Sequence, residues 1–380
     1  MQIPSSIPVA VAAAATLALL AAGCATTDIP PPEPFRTSQV EAFLKSARDP
    51  REMGITTLTD PASGKPRFDF ANRPHMGRSA ELPVLSKGHP CPFLDLKTGT
   101  EATLRSLIDT SSRQSWLVPA ACPAMFYRPV KPPLGEYPDH VDSQVPGYAG
   151  IANKLIAQIV HVESPVFYVP MADGHLGPLA RPESPASAPA PDTPDLAEKT
   201  RRARARFRAS VQAVIGAEML RAFDWVRLDF PRRRVRLSSN GPYKPPVPEA
   251  VAARLPMLNW RGRPAVAIRL DGVPATAVLD TGGDFDLSLP AATHGDLAAV
   301  HVELGGCTHL VPVSTHESLG LPADFPPRIG ARLLARYAVV LDYKANCVWF
   351  EDPDLAAQKK ADAEASDDDD LPVQYRGIVP

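Results

Sequence analysis

Two Asp-Thr pairs, Asp109-Thr110 and Asp280-Thr281, are the residues of this 380-residue chain whose setting suggests chemistry. Each ends a run of strand-forming residues, Ala102-Thr103-Leu104-Arg105-Ser106-Leu107-Ile108 in one case and Ala275-Thr276-Ala277-Val278-Leu279 in the other. A glycine turn precedes each run, at Thr98-Gly99 and Asp271-Gly272, and a proline follows each Asp, at Pro119 and Pro290. The turns with flanking alternation predict hairpins. Two carboxylates brought close together do not both ionise easily, so they share one proton. The ionised one can take a proton from water while the protonated one donates to a carbonyl oxygen. No G-x-S-x-G, H-E-x-x-H or phosphate-binding glycine loop offers rival chemistry. No His/Cys cluster has zinc spacing, so neither metal nor cofactor is expected.

The elements that must position these residues recur in the same order. After each hairpin comes Val-His-Val-Glu, at Val160–Glu163 and Val300–Glu303, with Val-Pro shortly behind at Val169-Pro170 and Val311-Pro312. The alternation places the valines inward and His161 and His301 on the solvent face of a strand. A third segment, Ile215-Gly216-Ala217-Glu218-Met219-Leu220, matches Ile329-Gly330-Ala331-Arg332-Leu333-Leu334. It predicts a strand, a glycine and a short helix, then a hairpin through Leu228-Asp229-Phe230 and Leu341-Asp342-Tyr343. The chain is therefore expected to be all-β, with two pseudo-symmetric closed lobes, each carrying a short helix after an Ile-Gly strand.

Val278-Leu279-Asp280-Thr281-Gly282-Gly283 resembles the apolar-apolar-Asp-Thr-Gly turn of aspartic proteases, and Pro327-Arg328-Ile329-Gly330-Ala331-Arg332-Leu333-Leu334 resembles their later apolar-Gly strand and helix. The resemblance, retropepsin-like in lobe style and pepsin-like in having two lobes in one chain, covers residues 82 to 352. It implies an aspartic endopeptidase in which Asp109 and Asp280 activate a water between the lobes, acting on a peptide or protein substrate. It also implies supporting roles. Thr110 and Thr281 would bond across the axis, and Gly282 would let backbone N–H groups approach the carboxylates. Where the family has its glycine, the first copy has Ser111, whose Cβ crowds the turn. Alone, Asp109 reads as a turn residue bonding its own backbone; the repeat makes it the partner of Asp280. Two alternatives follow. One is a catalytically degenerate fold that binds extended peptides or envelope components. The other is a homodimer pairing Asp280 from two chains, although the internal repeat favours a monomer. The first copy has room for an extra hairpin over residues 139–156, and Tyr148 at its tip is a candidate substrate-covering residue.

The net charge of −2 points to no nucleic acid partner. The 44 prolines argue for loops and sheet edges over long helices. Val9 to Ala22 is apolar but short for a membrane span, and Leu19-Leu20-Ala21-Ala22-Gly23-Cys24 resembles a bacterial lipobox, though no basic residue precedes it. That implies lipidation at Cys24 and an exported lipoprotein anchored to the outer membrane, facing the periplasm or the cell surface. In such an oxidising compartment the simplest reading of the other cysteines is Cys91 with Cys122 and Cys307 with Cys347; free buried thiols are the alternative. The organisation read is a signal peptide at 1–23 and a tether at 24–81. The first lobe follows at 82–240, with a Pro/Ala-rich insert at 174–199. A linker at 241–255, the second lobe at 256–352 and an acidic tail at 353–380 complete it.

Overall fold

A computed structural model describes residues 45–53, 55–59, 66–69, 73–74, 78–85, 89–118, 121–130, 147–170, 210–294, 298–304, 306–319, 321, 324–352 and 354–355. The segment read as a signal peptide, Cys24, the Pro/Ala insert and the acidic run lie outside these residues, as does the candidate flap up to residue 146, whereas its remainder from Gly147 is described.

The strands before and within the first lobe are β1 (Thr56–Thr59), β2 (Pro66–Asp69), β3 (Arg73–Pro74), β4 (Ser79–Pro83), β5 (Phe93–Thr98), β6 (Thr103–Asp109), β7 (Trp116–Leu117), β8 (Arg128–Pro129), β9 (Gly147–Ile151), β10 (Lys154–Ala157), β11 (Val160–Glu163), β12 (Val166–Pro170) and β13 (Ala213–Gly216). Helix α1 (Ala217–Leu220), β14 (Trp225–Asp229), β15 (Arg234–Ser238) and β16 (Val251–Pro256) follow. The second lobe has β17 (Leu258–Trp260), β18 (Arg263–Leu270), β19 (Val273–Asp280), β20 (Leu287–Leu289), α2 (Ala291–His294), β21 (Ala299–Leu304), β22 (Cys307–Thr315), β23 (Arg328–Gly330), α3 (Ala331–Leu334), β24 (Ala338–Asp342) and β25 (Cys347–Glu351). The fold is all-β, with short helices after the two Ile-Gly strands as the repeat predicts.

The first lobe is a ten-stranded sheet in the order β3-β11-β10-β5-β6-β13-β7-β12-β9-β8. The second is β17-β18-β19-β23-β20-β22-β21, and β21 also pairs with β18, closing a barrel. The core of the lobes corresponds strand for strand. β6 and β19 run parallel to β13 and β23, which run antiparallel to β7 and β20. These in turn run parallel to β12 and β22. A third sheet, β16-β25-β24-β14-β15-β4, lies between the lobes and reads the same from either end. Its centre is the antiparallel β14–β24 pair, with Arg227 opposite Val340. Val226, Leu228, Val235 and Leu237 from one half enter the first core; Val339, Leu341, Val348 and Phe350 from the other enter the second. Phe230 and Tyr343 touch both cores. Full burial of each such side chain stabilises by about 1.5–3 kcal/mol, so each lobe is held partly through the shared sheet. Strand β16 lies in the segment read as a linker, 241–255, except for Pro256.

One matched pair in the repeat is out of phase. Ile156 faces Lys97 and Glu303 faces Arg269 at corresponding points of the two hairpins. Val300–Glu303 therefore corresponds to β10, whereas Val160–Glu163 corresponds to the start of β22. Both strands of this hairpin are half-buried, with Val160, Val162, Val300 and Val302 inside, so one alternating pattern serves either position.

The two predicted disulfides are not made: Cys91, Cys122, Cys307 and Cys347 are all unbridged. Cys91 and Cys122 sit in separate clusters, and the Cys122 thiol lies 3.8 Å from the Val118 carbonyl, where burial pushes its pKa far up. Cys307 and Cys347 belong to different sheets, opposite Leu304 and Asp342.

Candidate functional site

Each Asp closes a strand directly opposite a glycine on the parallel neighbour, Asp109 opposite Gly216 and Asp280 opposite Gly330. Both glycines have ordinary extended backbone, so their conformation does not demand glycine. Space does. A Cβ on Gly216 would lie 2.2 Å from the Gln114 carbonyl oxygen, and one on Gly330 would lie 2.0 Å from that of Phe285. The chain leaving each Asp turn crosses directly over its glycine, and Ala217 N–H and Ala331 N–H bind Ser112 O and Gly283 O, each at 2.8 Å.

The two turns meet face to face. Thr110 Oγ1 donates to Leu279 O at 2.6 Å and Thr281 Oγ1 donates to Ile108 O at 2.8 Å. Each hydroxyl also accepts the other threonine's N–H, at 3.2 and 3.1 Å. These four crossed bonds, all buried, fix the turns relative to each other. Asp109 and Asp280 are 1% and 0% exposed, which puts them wholly under the control of their neighbours.

Ser111 joins the two carboxylates. Its Oγ lies 2.6 Å from Asp109 Oδ1 and 2.8 Å from Asp280 Oδ1. Asp109 Oδ1 also accepts N–H bonds from Ser111 and Ser112, at 2.9 and 3.2 Å. Its twin position, Gly282, shows why the site is lopsided. A Cβ there would come within 2.5 Å of Asp109 Cγ, yet Ser111 does carry a Cβ. Asp109 is thus met by a glycine of the opposite turn and Asp280 by a serine. The other oxygen of Asp280, Oδ2, meets Arg328 Nη2 at 2.7 Å, with both side chains fully buried.

Two buried arginines in the site escape a reading of the motifs. Counting back from each glycine, Arg328 occupies the place of Val214. Counting along the hairpins, Phe93 pairs with Leu107 and Ala265 with Val278, so Arg263 occupies the place of Cys91. The twins act alike: Cys91 Sγ lies 3.5 Å from Gly282 O as donor, and Arg263 Nε donates to Ser111 O at 2.7 Å. Arg263 Nη1 also reaches Arg261 O at 2.9 Å. Both guanidiniums stack on Phe325, 5.4 and 5.0 Å from its centroid, and Arg263 also stacks on Trp260. The rings offset part of the desolvation of the cations. Burial, then the charges of Arg328 and Arg113, push Arg263 down to about 9, against the pull of Asp109.

A further ion pair braces the second turn. Arg332 Nε binds Asp284 Oδ1 at 2.7 Å, and His89, from the first lobe, stands 3.6 Å from Asp284 Oδ2. Burial raises the Asp284 pKa, but His89 and Arg332 outweigh it and hold it at about 2.

Asp109, Asp280, Thr110, Thr281, Ser111 and Gly282 are thus brought together. Tyr148 lies in β9 with its backbone opposite Val169, and its side chain is outside the described residues. Cys91 reaches the site through Gly282 O. The Asp280 turn faces the Asp109 turn of its own chain. The signal that would have exposed the arginines was present: each interrupts a buried apolar position occupied in the twin by Val214 or Cys91.

No family model matches the chain, and no curated protein matches it. Among solved structures, basic 7S globulin from soybean is similar with a TM-score of 0.42 and 11% identity, covering 72% of this chain and 95% of that one. At that identity and score the likeness bears on neither chemistry nor ligand.

Proposed function

We propose that the chain is an aspartic-type peptidase that hydrolyses peptides held extended between its lobes, with Asp109 and Asp280 as the carboxyl pair. One observation carries this: both carboxylates reach a single oxygen, Ser111 Oγ, at 2.6 and 2.8 Å. A hydroxyl has one proton to give. Both bonds start from Ser111 Oγ and share its one proton, so a single hydroxyl spans the two carboxylates. Two carboxyl groups held this close do not both ionise easily, and a pair that shares one proton works as acid and base together. In the reaction, the ionised carboxylate takes a proton from water as the water oxygen attacks the scissile carbonyl carbon. The protonated partner donates to the carbonyl oxygen. Collapse of the tetrahedral adduct returns a proton to the departing amine. Asp109→Asn and Asp280→Asn are each expected to lower kcat by about a thousandfold with folding intact. Turnover at the parent rate in either variant overturns the pair.

A second reading is favoured by the lopsided turn. Ser111 and Arg328 together occupy both oxygens of Asp280, an arrangement suited to a silent fold that grips extended peptides without cutting them. Its sign is peptide affinity with no hydrolysis from acidic to neutral pH, and a gain of turnover in Ser111→Gly.

A further inference from the structure

We propose that the site selects substrates bearing a carboxylate next to the scissile bond, an Asp or Glu side chain, and that Arg328 with Arg263 is its receptor. This rests on the peptidase reading for its chemistry, though not for the binding it predicts.

The two halves of the site differ where symmetry would make them alike. Val214 and Cys91 fill the first half with uncharged side chains, and Arg328 and Arg263 fill the second with two cations, each 0% exposed. Taking a guanidinium out of water costs several kcal/mol unless an anion and hydrogen bonds compensate it. A fold that needed only to fill this space would carry the valine of its twin. The two cations share one aromatic ring, Phe325, so they lie close enough to repel. Burial first, and then Arg328 and Arg113, disfavour the charge on Arg263, while Asp109 favours it. A further negative charge is what such a cluster is built to take, and a planar carboxylate matches the guanidinium fork.

Asp280 Oδ2 holds the place of that carboxylate on Arg328, at 2.7 Å. A substrate acid that takes over Arg328 releases Asp280 Oδ2 to accept a hydrogen bond from water. Recognition and activation then become one event. A neutral side chain such as Gln cannot compete with Asp280 for the guanidinium and leaves the oxygen occupied.

The test uses the full chain. Cleavage of a defined peptide mixture, mapped by mass spectrometry, is expected to show sites flanked by Asp or Glu. Matched peptides differing only as Glu or Gln at that position should then differ in kcat/KM by roughly tenfold to a hundredfold, the range of a hydrogen-bonded charge. The ratio should grow as pH rises through about 4.3, where a free Glu ionises. In Arg328→Met it should fall to about one, and Arg328→Lys should keep part of it. If Arg328→Met does not fold, Arg263→Met and the pH course of the parent ratio decide. Hydrolysis with equal rates on the Glu and Gln peptides overturns the inference and leaves the peptidase standing. Without hydrolysis, fluorescence anisotropy of the same labelled peptides separates the remaining cases. Glu-selective binding lost in Arg328→Met upholds the receptor and removes the peptidase, whereas binding without Glu preference, or no binding, removes the receptor as well.

Discussion

Asp284 shows how single residues tune the site. Its pKa falls from an ordinary 3.8 to about 2 on folding, because His89 and Arg332 together outweigh its burial. A carboxyl depressed by folding adds stability that is fully present above the unfolded value and disappears as pH falls through the folded one. The window here runs from about pH 4 down to about pH 2, and the shift is worth about 2 kcal/mol. Urea unfolding across that window is expected to show this loss in the parent chain and to lack it in Asp284→Asn. A parallel fall in both would place the acid sensitivity elsewhere. At this scale the sequence disclosed the acids and not their counterions. Asp280 stands in a recognisable turn, and Asp109 was found through its repeat. Arg263 and Arg328 were passed over because arginine ordinarily marks a surface. Trp260 faces Arg263 across the β17–β18 hairpin, but the sharing of Phe325 by both cations belongs to the folded lobe and leaves no mark in either strand. Ser111 was recognised as an intruder, but its bond to the opposite carboxylate belongs to the meeting of two lobes and leaves no mark in one strand.

Among elements, the glycine strands behind the Asp turns tolerate least. Gly330→Ala would press a methyl group against the Phe285 carbonyl at 2.0 Å, and that backbone cannot retreat without moving Asp280. A loss upward of about 3 kcal/mol is expected on denaturant unfolding. Gly272 is the control. It sits at φ +82 in the β18–β19 turn, beside Asp271 at φ +45, and a Cβ there meets nothing within 4 Å. Gly272→Ala should cost only the left-handed backbone penalty, about 1–2 kcal/mol. Equal losses in the two variants would contradict the crossing-chain account. These hairpins and glycine strands were legible because turn chemistry and period are local. The Val-His-Val-Glu match was misplaced by one strand because two neighbouring half-buried strands obey the same alternation, and only pairing partners distinguish them.

At the scale of the molecule, two lobes could be inferred from the ordered repeat, whereas the sheet between them could not. That sheet is assembled from β4 and β16 at its edges and from the hairpins that follow α1 and α3. Nothing in either repeat announces that β14 will pair with β24, since an antiparallel partner is chosen by the approach of the whole lobes. The crossed threonines then set the same two-fold relation a second time, at the site itself.

The β14–β24 seam makes this a molecule suited to fragment complementation. Severed near residue 247, each half would keep its own core but present an unpaired inner strand, a surface that invites aggregation. Co-expressed as residues 45–247 and 248–355, the halves should recover one another as a soluble one-to-one complex by sedimentation, while neither alone stays monomeric and folds cooperatively. A well-behaved solitary half would show that the seam is dispensable. Recovery would make the pair a split reporter whose reassembly also restores the carboxyl pair, since each fragment brings one aspartate.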